Sequence, residues 1–474
     1  MSETNLVEDT SSPSTLGAHD LTQGPILRTL IAFSVPTLFS NMLQTLGMTV
    51  NTIWVGQLLG EGALAATANA NMVIFLAFAT VFGFSMATAV QLGQRFGARD
   101  IDGVRRAFGT GTGFAAALAI LGAAAGWFLA DDLLSVLATP VSIRDEALAY
   151  LQVSFLSMPF TTVSMMLSMG LRGGGDARTP LYAMILTTLA GVALNPLLIL
   201  GIGPLPQLGI AGSALALALA NFAGAAMMVI WIYARDLPLR LKGRELLYLI
   251  PLREELAYVV AKGVPMGAQM LITSSAALVM VGLVNREGIL ATAAYGAVIQ
   301  LWNYIQMPAF AISTAVSAMV AQNVGAGHHD RVGRITVAGL ASTGLVTGLV
   351  FVALVAFDAP LLALFLGEGS GAIAMAERIG VLASWSWILT GLMMVLSGTL
   401  RAYGVVIVPL IIMAVSLYPA RLGFYFVLYP VLGADALWLS YGFGAAMALV
   451  LTWLAYARGS WRARAGLDRQ SRRS

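Results

Sequence analysis

Long uncharged stretches, separated by charged or turn-forming residues, dominate the pattern along the chain. No charged residue lies between Arg28 and Glu61, between Glu61 and Arg95, or between Arg106 and Asp131. Further clear runs cover 147–171, 263–285, 335–357, 379–400, 402–420 and 436–457. A membrane-crossing helix takes about 20 apolar residues, so each run predicts one span. The run 179–234 is too long for one and breaks at Gly201-Ile202-Gly203-Pro204-Leu205-Pro206, a turn signal. The run 288–329 predicts one long helix ending near Gln322-Asn323. The pattern therefore predicts an all-α polytopic membrane protein with twelve spans, beginning near residues 29, 64, 107, 147, 180, 210, 256, 291, 335, 375, 405 and 436.

Composition agrees. Of 474 residues, 58% are hydrophobic and 10% charged, with a mean hydropathy of +0.83. Soluble domains carry about 25% charged residues, so an ordinary soluble enzyme is excluded. There is no cysteine, which removes disulfides, thiolate nucleophiles and cysteine metal sites. A net charge of +3 argues against nucleic acid as a partner. Residues 1–27 are polar and acidic, with no basic segment before an apolar core, and read as a solvated tail. With that tail taken as cytoplasmic, all 26 lysines and arginines but Arg144, Arg286, Arg378 and Arg421 fall on the same side. The positive-inside rule then predicts both termini in the cytoplasm. The basic tail 458–474 reads as a stop-transfer flank, able also to bind anionic lipid.

The chain repeats itself. Gln94, Gly97, Ala98, Asp102, Val104 and Arg106 recur 228 residues later as Gln322, Gly325, Ala326, Asp330, Val332 and Arg334. Val35-Pro36 recurs as Val264-Pro265, and Leu171-Arg172, Gly175 and Pro180 recur as Leu400-Arg401, Gly404 and Pro409, all at an offset of 229. A repeat of six spans, an even number, enters the membrane in the same sense each time. Two parallel lobes are expected, 28–234 and 256–457, joined by a basic linker at 235–255. Parallel repeats are one plan of secondary transporters, with substrate bound near mid-membrane between rocking halves.

Enzymatic chemistry finds no footing. There is no phosphate-binding GxxxxGK[ST] loop; Arg172-Gly173-Gly174-Gly175-Asp176 lacks the lysine and reads as a turn. HExxH and GxSxG are absent, and His328-His329 falls in an expected loop. No cofactor is expected, and transport would draw on a proton or sodium gradient. Charges at mid-membrane mark ion pathways, yet the span centres carry amides instead. Asn41, Gln44 and Asn51 lie in span 1, Asn69 and Asn71 in span 2, Asn195 in span 5 and Asn221 in span 6. Gln269 lies in span 7, and Gln300, Asn303 and Gln306 in span 8. Gln44 with Asn51, and Asn303 with Gln300 and Gln306, share helix faces. Such amides either bond helices together or line a solvated cavity; Asn51, Gln44, Asn195, Gln269, Gln300 and Asn303 are the cavity and coupling candidates. Tyr295, Trp302, Tyr304 and Met307 accompany the second stripe, with Trp385 and Trp387 in span 10. Aromatic faces suit organic cations and methionine adapts to varied shapes, so the first four are substrate-contact candidates. Arg421 in span 11 either snorkels to head groups or serves the cavity. Glu377, at the start of span 10, is a candidate titrating group for proton coupling.

The ordered series Val35-Pro36, Val50-Asn51-Thr52-Ile53-Trp54-Val55-Gly56, Leu64-Ala65-Ala66, the doubled Gln-x-x-Gly-Ala turns, and Leu194-Asn195-Pro196-Leu197 with Gly201 resembles the multidrug and toxic compound extrusion (MATE) family. The resemblance covers about residues 25–457. It implies two six-helix lobes and monomeric antiport of amphipathic, often cationic small molecules against protons or sodium ions. Many members carry an aspartate in span 1 where this chain has Asn51. One branch has N-x-x-x-D in span 5 where this chain has Gly191 and Asn195, and Gln269 stands in a span where other members carry acids. The alternative on a related two-lobe fold is a flippase for a lipid-linked precursor. A polyanionic head group would need several buried basic residues, and Arg421 alone offers itself.

Overall fold

A computed structural model describes residues 20–137, 139–203, 206–367 and 369–459. The expected acidic tail up to His19, and the basic tail from residue 460, lie outside the described residues. The first half consists of α1 (Ile26–Leu59), α2 (Glu61–Gly97), α3 (Ile101–Val136), α4 (Val141–Gly173), α5 (Arg178–Leu200) and α6 (Gly209–Ala234). The second half begins with α7 (Arg253–Arg286), α8 (Ile289–Gly325) and α9 (His329–Ala356), followed by α10 (Asp358–Leu366), α11 (Ala372–Ala383) and α12 (Ser386–Ala402). It closes with α13 (Ile407–Val415), α14 (Arg421–Leu432) and α15 (Asp435–Ala457). Many of these helices outrun the uncharged stretches, because a charge at a helix end costs little and can favour it. Glu61 in the first turn of α2 and Arg95 in its last complement the helix dipole.

Among the described residues, eleven helices are long and apolar enough to cross a membrane, α13 to α14 counting as one. The twelfth span is the pair α11–α12, bent by 42°. The predicted eleventh span is not a plain helix either, since Ser416–Ala420 form a π turn around Pro419. Helix α10 was not foreseen. At nine residues and a rise of about 1.5 Å each it is too short to cross. The polar tail expected through residue 27 also ends sooner. Leu21 is buried, its N–H donating to Gln322 Oε1 at 3.0 Å and its carbonyl accepting from Asn323 Nδ2 at 3.1 Å.

Pro36 and Pro265 sit inside α1 and α7, one repeat apart. The duplication then becomes a physical contact. A Cβ on Gly97 would lie 1.8 Å from Gln322 O, and one on Gly325 would lie 1.8 Å from Gln94 O. The Gln94 amide donates to Ala402 O at 2.7 Å, and the Gln322 amide donates to Gly173 O at 3.0 Å. Gln94 and Gln322 are repeat partners, as are Gly97 with Gly325 and Gly173 with Ala402. Each half therefore makes to the other the contact it receives, which is the signature of a twofold relation between parallel repeats.

The stretch between the halves is docked along α3. It holds a short 3-10 helix, Gly243–Leu249. Arg105 pairs with Glu245 at 2.6 Å, and the Tyr248 hydroxyl donates to Asp102 at 3.1 Å. A Cβ on Gly113 would meet Leu249 O at 1.8 Å, so only glycine lets the strap lie this close. Gly113→Val is expected to lift it. Trypsin cleavage at Arg240, Lys242 or Arg244 should then become at least about tenfold faster than in the parent, with the helical circular dichroism signal unchanged.

Candidate functional site

The contacts between the halves gather at one end of the bundle. Helix α2 packs along α7 and α8, and α1 along α8. In α2 the buried stretch runs from Ala79 towards Gly97, whereas Met72, Phe75 and Leu76 before it are exposed. In α8 nearly every residue from Pro308 to Asn323 is buried, while Gln300, Asn303 and Tyr304 are exposed. The two halves thus part near Ala79 and Pro308. The closed end carries the doubled Gln contact and the basic connections; the other end is open.

A second bridge crosses the closed end. The Glu255 carboxylate, 7% exposed in the first turn of α7, accepts from the Gln91 amide and from Arg95 Nη2, the latter at 3.2 Å. Arg95 also reaches Asp100 at 2.7 Å. In the loop after α2, the N–H of Gly103 holds the Asp100 carboxyl below its ordinary value, assisted by Arg95 and opposed by burial. Arg95 is thereby fixed between one carboxylate of its own half and one of the other.

Each half encloses a cavity. That of the first half, about 150 Å³, lies among α2, α4 and α6 and includes Asn71, Tyr150, Ser157, Met158, Thr161 and Asn221. That of the second half, about 240 Å³, lies among α7, α8, α12, the π turn and α15. The repeat offset relates the two linings: Ser157, Met158 and Thr161 stand 229 residues before Ser386, Trp387 and Thr390. The second cavity differs in being aromatic and charged. The Tyr295 and Tyr441 hydroxyls are hydrogen-bonded to each other. Trp302 lies 4.9 Å from the Tyr441 ring and 5.7 Å from that of Trp387, and its Nε1 donates to Ser384 Oγ at 2.8 Å. The Arg421 guanidinium sits 3.3 Å from the centre of the Tyr441 ring.

Of the residues singled out in the sequence, the second cavity gathers Tyr295, Trp302, Asn303, Gln306, Trp387 and Arg421. Arg421 is buried, at 8% exposure, rather than reaching the membrane surface. The π turn explains this, because the changed register after Pro419 brings Ser416 and Arg421 to one lining. Gly444 makes room, as its Cβ would lie 3.3 Å from that of Arg421. Tyr304 is exposed and Met307 half-buried, and neither belongs to either of these two linings. Gln44 and Gln300 are exposed. Asn51 is buried with its Oδ1 accepting from Ser213 at 2.8 Å, and Asn195 donates to Gly191 O at 3.2 Å. Gln269 donates to Val406 O at 3.2 Å. These three amides lie outside both linings. Glu377 is half-buried in α11, in a minor crevice with Ala376 and Gly380. Sequence reasoning passed over Ser416, Thr390 and Thr273, because single hydroxyls in apolar spans carry no pattern. It also passed over Glu255, which reads as an ordinary acid at a helix start.

The MatE family model matches residues 36–197 and again 265–427, one match to each half. The chain is 31% identical over 433 residues to the probable multidrug resistance protein YoeA of Bacillus subtilis, covering 91% of this chain and 93% of that one. Among solved structures it resembles a MATE crystal structure in complex with MaL6, with a TM-score of 0.86, 19% identity and coverage of 95% and 99%. It also resembles an outward-facing multidrug resistance MATE family transporter of the MOP superfamily, with a TM-score of 0.84, 20% identity and coverage of 94% and 97%.

Proposed function

This chain belongs to the MatE family of membrane transporters, and from that premise we propose that it exports amphipathic, often cationic small molecules by alternating access. The observation that carries the reading is the one-ended seam between two equivalent halves. Two halves joined at one end and parted at the other, each with its own cavity, form a device that can exchange which end is joined. The basic connections mark the joined end as cytoplasmic, so the form described here faces outward and would release cargo. Both termini are cytoplasmic, the membrane is the bacterial cytoplasmic membrane, and the unit is a monomer of two lobes.

Energy comes from a cation gradient. Asn51 and Asn195 are amides that cannot titrate near neutrality, although an amide carbonyl can coordinate a hard cation. The Oδ1 of Asn195 is buried without a hydrogen-bond partner. In proteoliposomes, a sodium or proton gradient is expected to drive ethidium against its own gradient. Movement under neither gradient would end the antiport reading. Asn51→Asp is expected to make that transport at least about tenfold more sensitive to pH, and an unchanged profile would remove position 51 from coupling.

A further inference from the structure

The second cavity leaves several buried polar atoms unpaired. The Nε and Nη2 of Arg421 are buried without a hydrogen-bond partner, as are Nε1 of Trp387 and Oγ of Ser416. The cavity lining contains no aspartate or glutamate. In the hydroxyl pair of Tyr295 and Tyr441, one proton is used and the other remains to be donated. An unpaired charge taken out of water costs several kcal/mol, and the Tyr441 face offsets only part of that. The repeat does not require the charge. One repeat earlier stands Val192, or Gly191 if the π turn counts as one inserted residue.

We propose that the cavity around Arg421 is a binding subsite for an oxyanion carried on an aromatic frame, a carboxylate being the simplest case. The inference rests on the exporter reading, and it names the chemistry of part of its cargo. Arg421 supplies the charge; Trp387, Ser416 and the free tyrosine proton supply further donors. Trp302 and Tyr295 flank the space that the ring system would fill. A cavity of about 240 Å³ exceeds the ~150 Å³ that accommodates benzene, so a fused bicyclic ring is the matching size. One guanidinium suits one oxyanion and does not suit a pyrophosphate-linked lipid head group. A compound bearing both a cation and a carboxylate also satisfies the site.

The test is equilibrium dialysis of the purified full chain in detergent with radiolabelled naphthoate and with naphthamide, its uncharged counterpart. Naphthoate is expected to bind at least about tenfold more tightly. Arg421→Gln should abolish that preference, bringing the two compounds to equal affinity. Equal binding of the two compounds by the parent would overturn the proposal, as would a preference that survives Arg421→Gln. Should that variant not fold, the pair Trp387→Phe and Ser416→Ala is expected to cut the preference severalfold, and no loss there also overturns it. Ethidium efflux by the parent separates the two readings. Efflux without naphthoate preference refutes the subsite alone, and naphthoate preference without gradient-driven efflux refutes the exporter while the subsite stands.

Discussion

Gly97→Val is expected to abolish most transport while leaving the protein folded. Its side chain would begin 1.8 Å from Gln322 O, a contact with backbone that no rotamer relieves. Each half has its own apolar cores, for example the cluster around Phe96, Phe108 and Leu171 and that around Tyr295, Trp302 and Trp438. The clash therefore falls on the joint between halves. Overpacking commonly costs 1–3 kcal/mol; about 2 kcal/mol against closure of the Gln joint corresponds to roughly 30-fold in that equilibrium. Initial rates of ethidium efflux should fall by about that factor, and Gly325→Val should behave alike because the contact is reciprocal. Gly333→Ala is the control. Its Cβ would meet nothing within 4 Å, and its rate should match the parent.

Glu255→Ala is expected to loosen the same joint by a different force. The substitution leaves the Gln91 amide and one arm of Arg95 without their acceptor at the seam. Removing a buried partner of this kind costs about 1–3 kcal/mol, so the joint should open about tenfold more often. Ser317, 6% exposed in α8, reports on it. In a Ser317→Cys background, labelling by a thiol reagent added from the side of the joint should accelerate about tenfold on adding Glu255→Ala. Unchanged labelling would show that Glu255 does not hold the joint.

The spans were legible because a charge in lipid is expensive and the chain spends very few there. Eleven uncharged runs, one of them broken at Gly201–Pro206, predicted twelve spans. Among the described residues, eleven single helices and one bent pair match them, with the tenth bent between Ala383 and Ser386 and the eleventh opened by a π turn. Neither break has a strong sequence signal: Ser384 and Trp385 are ordinary helix residues, and Pro419 is one of several prolines that sit within these helices. Doubling of the Gln-x-x-Gly-Ala turn was plain in the sequence, but an offset of 228 states only that two segments are alike. That Gln94 and Gln322 meet needed the structure. The amides were legible as polar residues and not as partners. Asn51 serves Ser213 and Gln269 serves Val406 O, and periodicity is the same whether a polar face meets a neighbour or a cavity. Arg421 shows the limit most clearly. Well inside a span, a long cation can stretch towards the surface or turn into the bundle, and the π turn decides.

The central claim is that the doubled Gln joint must open for each cycle of transport. The chain has no cysteine, so an introduced pair forms a bond without competitors. A Cβ on Gly93 would lie 2.8 Å from that of Ala321 in the other half, within about 1 Å of the spacing in a disulfide. In the Gly93→Cys, Ala321→Cys protein, oxidation should stop ethidium efflux and reduction should restore it. Efflux at the full reduced rate, with the bond verified by mass, would contradict the account.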